Sequence, residues 1–160
     1  MTEANRQEVA RALGRLPSGC AILTARAEGR RTGILASWVQ QAAFEPPMLS
    51  VALKKDRPIG DLIRRSGEFV VNVLGENPTA MFKHFGKGFS PEEDAFAGLS
   101  AREVACGIEI ADQIARLSVK LRGSLDAGDH EVFVGEVVEA SASTELLPPY
   151  VHVRKNGLSY

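Results

Sequence analysis

Long hydrophobic runs are missing from this sequence. No stretch approaches the roughly 20 apolar residues of a membrane-spanning helix, so no membrane role is expected. An excess of one charge is missing too: 19 Lys and Arg stand against 20 Asp and Glu, a net charge of −1. That balance offers no field to draw nucleic acid or an anionic lipid surface. Cysteine is scarce, with two in 160 residues. Cys20 and Cys106 lie far apart in apolar contexts, which suits buried free thiols in a cytoplasmic protein rather than a disulfide framework. The three histidines, His84, His130 and His152, are scattered, with no carboxylate or cysteine at zinc-ligand spacing, so no metal site is expected. The opening "MTEANRQEVARALGRLPSG" lacks the apolar core of a signal peptide.

Catalytic signatures are absent as well. No GxGxxG follows a strand-like run, which excludes a doubly wound dinucleotide domain. "FGKGFS" at Phe85–Ser90 lacks the spacing of a phosphate-binding loop. There is no GxSxG, and neither cysteine sits in a nucleophile signature. Side chains alone therefore carry no evident reaction. What remains is a binding module, or an enzyme whose chemistry resides in a cofactor.

What is present reads as one domain over residues 1–160, mainly β with a few short helices. Hydrophobic content of 44% and charged content of 24% are ordinary for a globular chain. Val9, Ala12, Leu13 and Leu16 fall at helical spacing over Asn5–Arg15, and Pro17 closes that helix. Cys20–Ala25 reads as a strand, with "EGRRTG" as the turn into the next. Ile34–Val39 and Met48–Leu53 are nearly all apolar, as in strands covered on both faces. Asp56 is placed to cap a helix with Pro58 in its first turn, Ile59, Leu62 and Ile63 inside, and Gly67 at its end. Phe69–Leu74 follows as a strand and Pro78–Phe85 as a short helix. Leu117–Leu125 and Val132–Ala140 form a hairpin around "DAGDHE". Tyr150–Val153 and Leu158–Tyr160 pair across Asn156-Gly157. Many antiparallel strands with peripheral helices suggest a closed or partly closed barrel.

The stretch "TGILASWVQQAAFEPPMLSVALKKDRP", Thr32 to Pro58, bears on ligand class. Thr32, Gly33, Ala36, Ser37, Ala42 and Ala43 are small and would let backbone groups approach a flat ligand. Gln40 and Gln41 offer donors and acceptors. Lys54, Lys55 and Arg57 are suited to neutralise a phosphate beside the helix start near Pro58. A planar heterocycle with a phosphorylated tail fits this chemistry. Small strand residues packed against helices, with solvated lysines, fit it too.

Six segments, "LGRLPSGCAILTA", "TGILASWVQQAAFEPPMLSVALKKDRPI", "FVVNVLGE", "FKHFGKGF", "EDAFAGL" and "AGDHEVFVGEV", resemble the flavin reductase-like family. Its fold is the FMN-binding split β-barrel, and the likeness is greatest to the flavin-reductase domain of cyanobacterial diflavin flavoproteins. It runs from about Ala12 to Tyr160. The metal-binding and flavodoxin-like domains of those fusions are absent, so the chain looks like a free-standing version.

The resemblance implies site roles. Thr32, Ile34, Leu35, Ala36, Ser37, Trp38, Val39, Gln40 and Gln41 would run along the flavin ring. Ala43 stands where relatives often carry a hydroxyl toward the ribityl-phosphate tail. Ala52, Leu53, Lys54 and Arg57 would meet the phosphate. Phe82, His84, Phe85, Gly86 and Lys87 would close over the ring. Asp129 and His130 would face the nicotinamide, with His130 projecting from an exposed turn at the barrel rim. The implied activity is hydride transfer from NADH or NADPH to FMN, with FAD also admissible. The implied assembly is a homodimer serving a partner oxygenase or another electron acceptor. An electron-transfer flavoprotein reduced by a protein donor is the alternative.

Overall fold

The structure, a computed structural model, describes residues 1–159. It is mainly β with short helices. Helix α1 spans Glu3–Gly14, α2 Pro58–Ser66 and α3 Thr79–Phe85. The strands are β1 Ser18–Gly19, β2 Ala21–Ala27, β3 Arg30–Ala36, β4 Val39–Ala43, β5 Met48–Lys54 and β6 Glu68–Val73. There follow β7 Ala101–Val104, β8 Gly107–Ile110, β9 Ala115–Ala127, β10 His130–Ala142 and β11 Val151–His152. Seven of these form one antiparallel sheet in the order β3-β2-β6-β9-β10-β5-β4.

The edges of that sheet are successive strands. β3 ends at Ala36 and β4 begins at Val39, so Ser37 and Trp38 alone carry the chain from one edge to the other. Three backbone steps reach about 11 Å at most, so the sheet must curl until its edges nearly meet. The Ala52 N–H of β5 donates to the Trp38 carbonyl at 3.0 Å and so extends the β4–β5 ladder back to the crossing residue. The result is a barrel split along one seam, and this corrects the expectation of a single strand over Ile34–Val39. The apolar run is continuous, but its hydrogen-bonding partner changes in the middle.

Alternation along β2 divides the interior in two. Leu23 and Ala25 face a core with Val51, Leu53, Ile63, Phe69, Val119 and Phe133. Ile22 and the preceding Cys20 face a second core with Leu74, Met81, Phe85, Phe96, Ile108 and Ile110. β2 is thus the strand covered on both faces. In β5, Leu49, Val51 and Leu53 are buried while Met48, Ser50 and Ala52 are only half-buried. Ile34 and Leu35 of β3 are half-buried too. Of these half-buried residues, Ile34, Leu35 and Ala52 line the cavity described below.

Helix α2 lays Ile59, Leu62 and Ile63 into the first core and ends at Gly67, whose φ of 68° is the left-handed conformation glycine adopts freely. Its N-cap is Arg57 with no capping side chain, not Asp56 as the sequence suggests. Asp56 itself stands at φ 67°. Helix α1 also departs from expectation. Thr2 caps it, Leu13 is 37% exposed, Leu16 lies past its end and is 61% exposed, and its buried residue is Gly14. The turn after β2 shrinks to Glu28 and Gly29, both at positive φ, so Arg30–Gly33 joins β3. β11 pairs with β1, Ser18 opposite His152, and the expected terminal pair with 158–160 does not form within the described residues; Tyr160 lies outside them.

The β7–β8 hairpin is pinned to the barrel by two buried polar side chains. Asn72 donates through Nδ2 to the carbonyls of Ile22 and Ile108, both at 3.2 Å, and its Oδ1 accepts from the Ile110 N–H at 3.1 Å. The Thr24 hydroxyl donates to the Ile108 carbonyl at 2.6 Å. Leaving these backbone groups unpaired inside the protein is costly, so Asn72→Leu is expected to lower stability by about 1–3 kcal/mol in denaturant unfolding.

Candidate functional site

A cavity of about 590 Å³ opens at the seam. Ile34, Leu35, Ala36 and Ser37 form one wall, and Ala52, Leu53 and Lys54 at the end of β5 form another. Arg57 stands at the start of α2, Phe82 and Gly86 come from the α3 end, and Cys20 lies on the floor. The remaining wall is the C-terminal segment, His152 to Asn156 and Ser159. This is the size and mixture of most small-ligand sites: a largely apolar lining with a few polar groups at the margin.

The charge is one-sided. Lys54, Arg57, Arg154 and Lys155 all line the cavity, and among the described residues no carboxylate does. Among the described residues none of the four forms an ion pair, whereas neighbouring Lys55 is held by Asp126 at 2.5 Å and Arg64 by Asp61 and Glu131. In a chain of net charge −1 this local excess is specific to the site. Burial pushes the Cys20 thiol up to about 11, so it stays protonated at neutral pH and offers no thiolate nucleophile. Among the described residues no three His, Cys, Asp or Glu gather to hold a metal ion. No helix among them is long and apolar enough to cross a membrane.

Ten of the residues singled out from the sequence line this cavity: Ile34, Leu35, Ala36, Ser37, Ala52, Leu53, Lys54, Arg57, Phe82 and Gly86. The others lie elsewhere. Thr32 is buried and borders a small hollow on the far side of Arg57. Trp38 and Val39 are half-buried just past the seam, Gln40 and Gln41 are exposed on β4, and Ala43 ends that strand. Phe85 is fully buried in the second core. The His84 ring pairs through Nε2 with the Ala95 carbonyl at 2.8 Å and ties down the loop after α3. Lys87 is exposed and outside the lining.

Asp129 and His130 also stand outside the cavity lining. His130 is the first residue of β10, paired with Ala127 and Lys54, and only 7% exposed. The turn is Gly128 and Asp129 alone, two residues shorter at each end than "DAGDHE" suggests, which moves His130 from the exposed rim into the ladder. Its Nδ1–H donates to the Asp129 carboxylate at 2.8 Å, and its ring meets Trp38 with centroids 4.7 Å apart. That hydrogen bond, with a smaller contribution from Lys54, holds the Asp129 carboxyl below its usual range.

Cys20 and the C-terminal wall escaped the sequence reading. The signal that finds them is topological: β1 and β11 pair, Ser18 against His152, and bring both ends of the chain to the seam.

The fold and the cavity together define a ligand-binding split barrel. Comparison with known proteins places the chain more closely. It belongs to the flavin reductase-like family, whose domain profile matches residues 13–157. It is 34% identical over 154 residues to putative diflavin flavoprotein A 6 of Nostoc sp. PCC 7120, covering 95% of this chain and 27% of that protein. It is 35% identical over 155 residues to diflavin flavoprotein A 1 of Synechocystis sp. PCC 6803, again covering 27% of the relative. The chain therefore spans about a quarter of these relatives. Among solved structures, the NADH:FAD oxidoreductase SgcE6 of Streptomyces globisporus superposes with a TM-score of 0.85 over 96% of this chain and 91% of its own, at 21% identity. Nitrilotriacetate monooxygenase component B of Mycobacterium thermoresistibile superposes with a TM-score of 0.82 over 96% of this chain and 86% of its own, at 29% identity.

Proposed function

We propose that the protein is an NAD(P)H-dependent flavin reductase that binds FMN at the seam. The observation that carries this reading is the pairing of an apolar slot with cations that no carboxylate among the described residues neutralises. The residues fit a flavin: Ile34–Ser37 and Ala52–Leu53 offer apolar side chains and backbone groups to a flat ring. Lys54 and Arg57 offer charge to a phosphorylated tail. FAD fits the same donor set. When bound, the flavin supplies the acceptor for a hydride from the nicotinamide, so the protein needs no nucleophile or metal of its own. The chain's own task is to hold two rings in contact, exclude water and surround developing negative charge with backbone N–H groups and cations. The protonated Cys20 adds apolar floor without competing chemistry.

The deciding experiment is an anaerobic titration of the flavin-loaded protein with NADH and with NADPH. Bleaching of the visible flavin band on a catalytic timescale supports the reading. A second reading draws on the relatives, in which this domain is one part of a larger flavoprotein. There the flavin would take electrons from a protein donor, and the titration would leave its colour intact. As a reductase in the cytoplasm, the protein would deliver reduced flavin to an oxygenase, the arrangement that the name of the monooxygenase component suggests.

We further propose that two copies associate. Phe44 is 87% exposed, Val153 is exposed in the cavity wall, and Val151 and Leu158 are exposed on the same C-terminal segment. Such a set is better covered by a second copy than left in water. Light scattering at micromolar concentration is expected to give twice the monomer mass, and a monomer would overturn it.

A further inference from the structure

Arg154 and Lys155 belong to none of the sequence motifs, yet both line the cavity. We infer that this pair receives the phosphate groups of the nicotinamide dinucleotide and that Arg154 is held ready for them by the rings behind it. The inference rests on the reductase reading and names the part of the substrate this wall recognises.

Arg154 is half-buried, with its guanidinium over the Trp38 ring, 5.0 Å from the centroid. Trp38 is backed by His130, and His130 by the Asp129 carboxylate. The Arg154 backbone is gripped as well. The Gly157 N–H donates to the Ala10 carbonyl of α1 at 2.8 Å. A Cβ on Gly14 would stand 2.7 Å from the Arg154 carbonyl oxygen, and one on Gly157 would stand 2.3 Å from Leu13 Cβ. Only glycine fits at either place, so α1 and the C-terminal segment lock together. The effect is a positioned cation without a carboxylate partner among the described residues, partly withdrawn from water. A charge in that situation lacks the compensation that buried charges normally have. A guanidinium stacked on an aromatic face still presents its planar fork of donors, and that fork matches phosphate oxygens. Lys155 adds a second, exposed charge beside it.

The cavity's cations thus come as two pairs from separate parts of the chain. Lys54 and Arg57 flank the junction of β5 and α2, and Arg154 and Lys155 lie on the C-terminal wall. One pair per phosphorylated ligand accounts for both: flavin on the first, dinucleotide on the second. On this inference His130 is a positioning residue acting through Trp38, the route by which a buried histidine outside the lining would influence the nicotinamide.

The test uses the FMN-loaded protein and two hydride donors, NAD(P)H and 1-benzyl-1,4-dihydronicotinamide, which has no phosphate. Arg154→Ala is expected to raise the half-saturating NAD(P)H concentration about tenfold, the loss of one charge-assisted contact, while affecting the phosphate-free donor far less. Calorimetric binding of NAD⁺ and NADP⁺ should weaken by a similar factor, with FMN affinity held. Arg154→Lys should recover part of the loss. His130→Ala should shift the same quantities, and His130→Phe, which keeps a ring behind Trp38, should restore them. If Arg154→Ala does not fold, Lys155→Ala reads the same split with the wall intact. Equal slowing with both donors, no change with either, or a loss of FMN affinity in place of dinucleotide affinity overturns this inference alone. A wild-type protein reduced by neither donor overturns the reductase reading as well.

Discussion

Phe85→Ala is expected to destabilise the protein by about 3–5 kcal/mol, the usual cost of truncating a buried aromatic side chain. Phe85 has no exposed surface and sits in the second core with Ile22, Met81, Phe96 and Ile108. Its ring meets those of His84, Phe89 and Phe96 at centroid separations of 4.7, 5.7 and 6.3 Å. It also fits closely against β3: a Cβ on Gly33 would stand 2.8 Å from its Cε1. Packing at such density leaves little room for collapse, so the cavity remains and its cost is felt in full. The measurement is denaturant unfolding of the apoprotein beside flavin binding of the folded fraction. A small loss of stability with a collapse of flavin affinity would instead put Phe85 in the site, where the family resemblance alone had placed it.

Lys54→Ala and Arg57→Ala are each expected to weaken FMN by about 1.5–3 kcal/mol while leaving riboflavin nearly unaffected, because only FMN carries the phosphate that these cations meet. Both line the cavity, and neither is neutralised by a carboxylate among the described residues. Arg57 is also the N-cap of α2, where backbone N–H groups left without intrahelical partners favour an anion. The charge contribution should shrink as salt is added, since the cavity is open to solvent. Fluorescence titration with FMN and riboflavin at two ionic strengths separates the outcomes. Equal weakening of both ligands would reduce Lys54 and Arg57 to packing residues of the wall.

Much of the fold is legible in short segments because its causes are local. The apolar spacing of Ile59, Leu62 and Ile63, with Pro58 before and Gly67 after, specifies α2 nearly to the residue. Apolar runs on either side of "DAGDHE" announce the β9–β10 hairpin, although the pairing runs further into that segment than the pattern suggests. Within the Thr32–Pro58 stretch, Ile34–Ser37 and Ala52–Lys54 with Arg57 mark one side of the cavity, while Thr32, Gly33, Ala42, Ala43 and Lys55 fall outside its lining.

The other side of the cavity has no such signature. Cys20 and the segment from His152 to Ser159 come from opposite ends of the chain and meet only because β1 pairs with β11. The break at Ser37 and Trp38 lies inside an unbroken apolar run, since an exchange of hydrogen-bonding partners leaves composition unchanged. His130 reads as an exposed turn residue by its neighbours, and pairing with Lys54 on β5 makes it a buried strand residue. The sequence by itself determined the class of fold, its helices, the β9–β10 hairpin and one cationic edge of the site, but not the β7–β8 hairpin. Closure of the barrel decided which residues share the cavity, because contacts between distant segments depend on register and curvature, which no local pattern encodes.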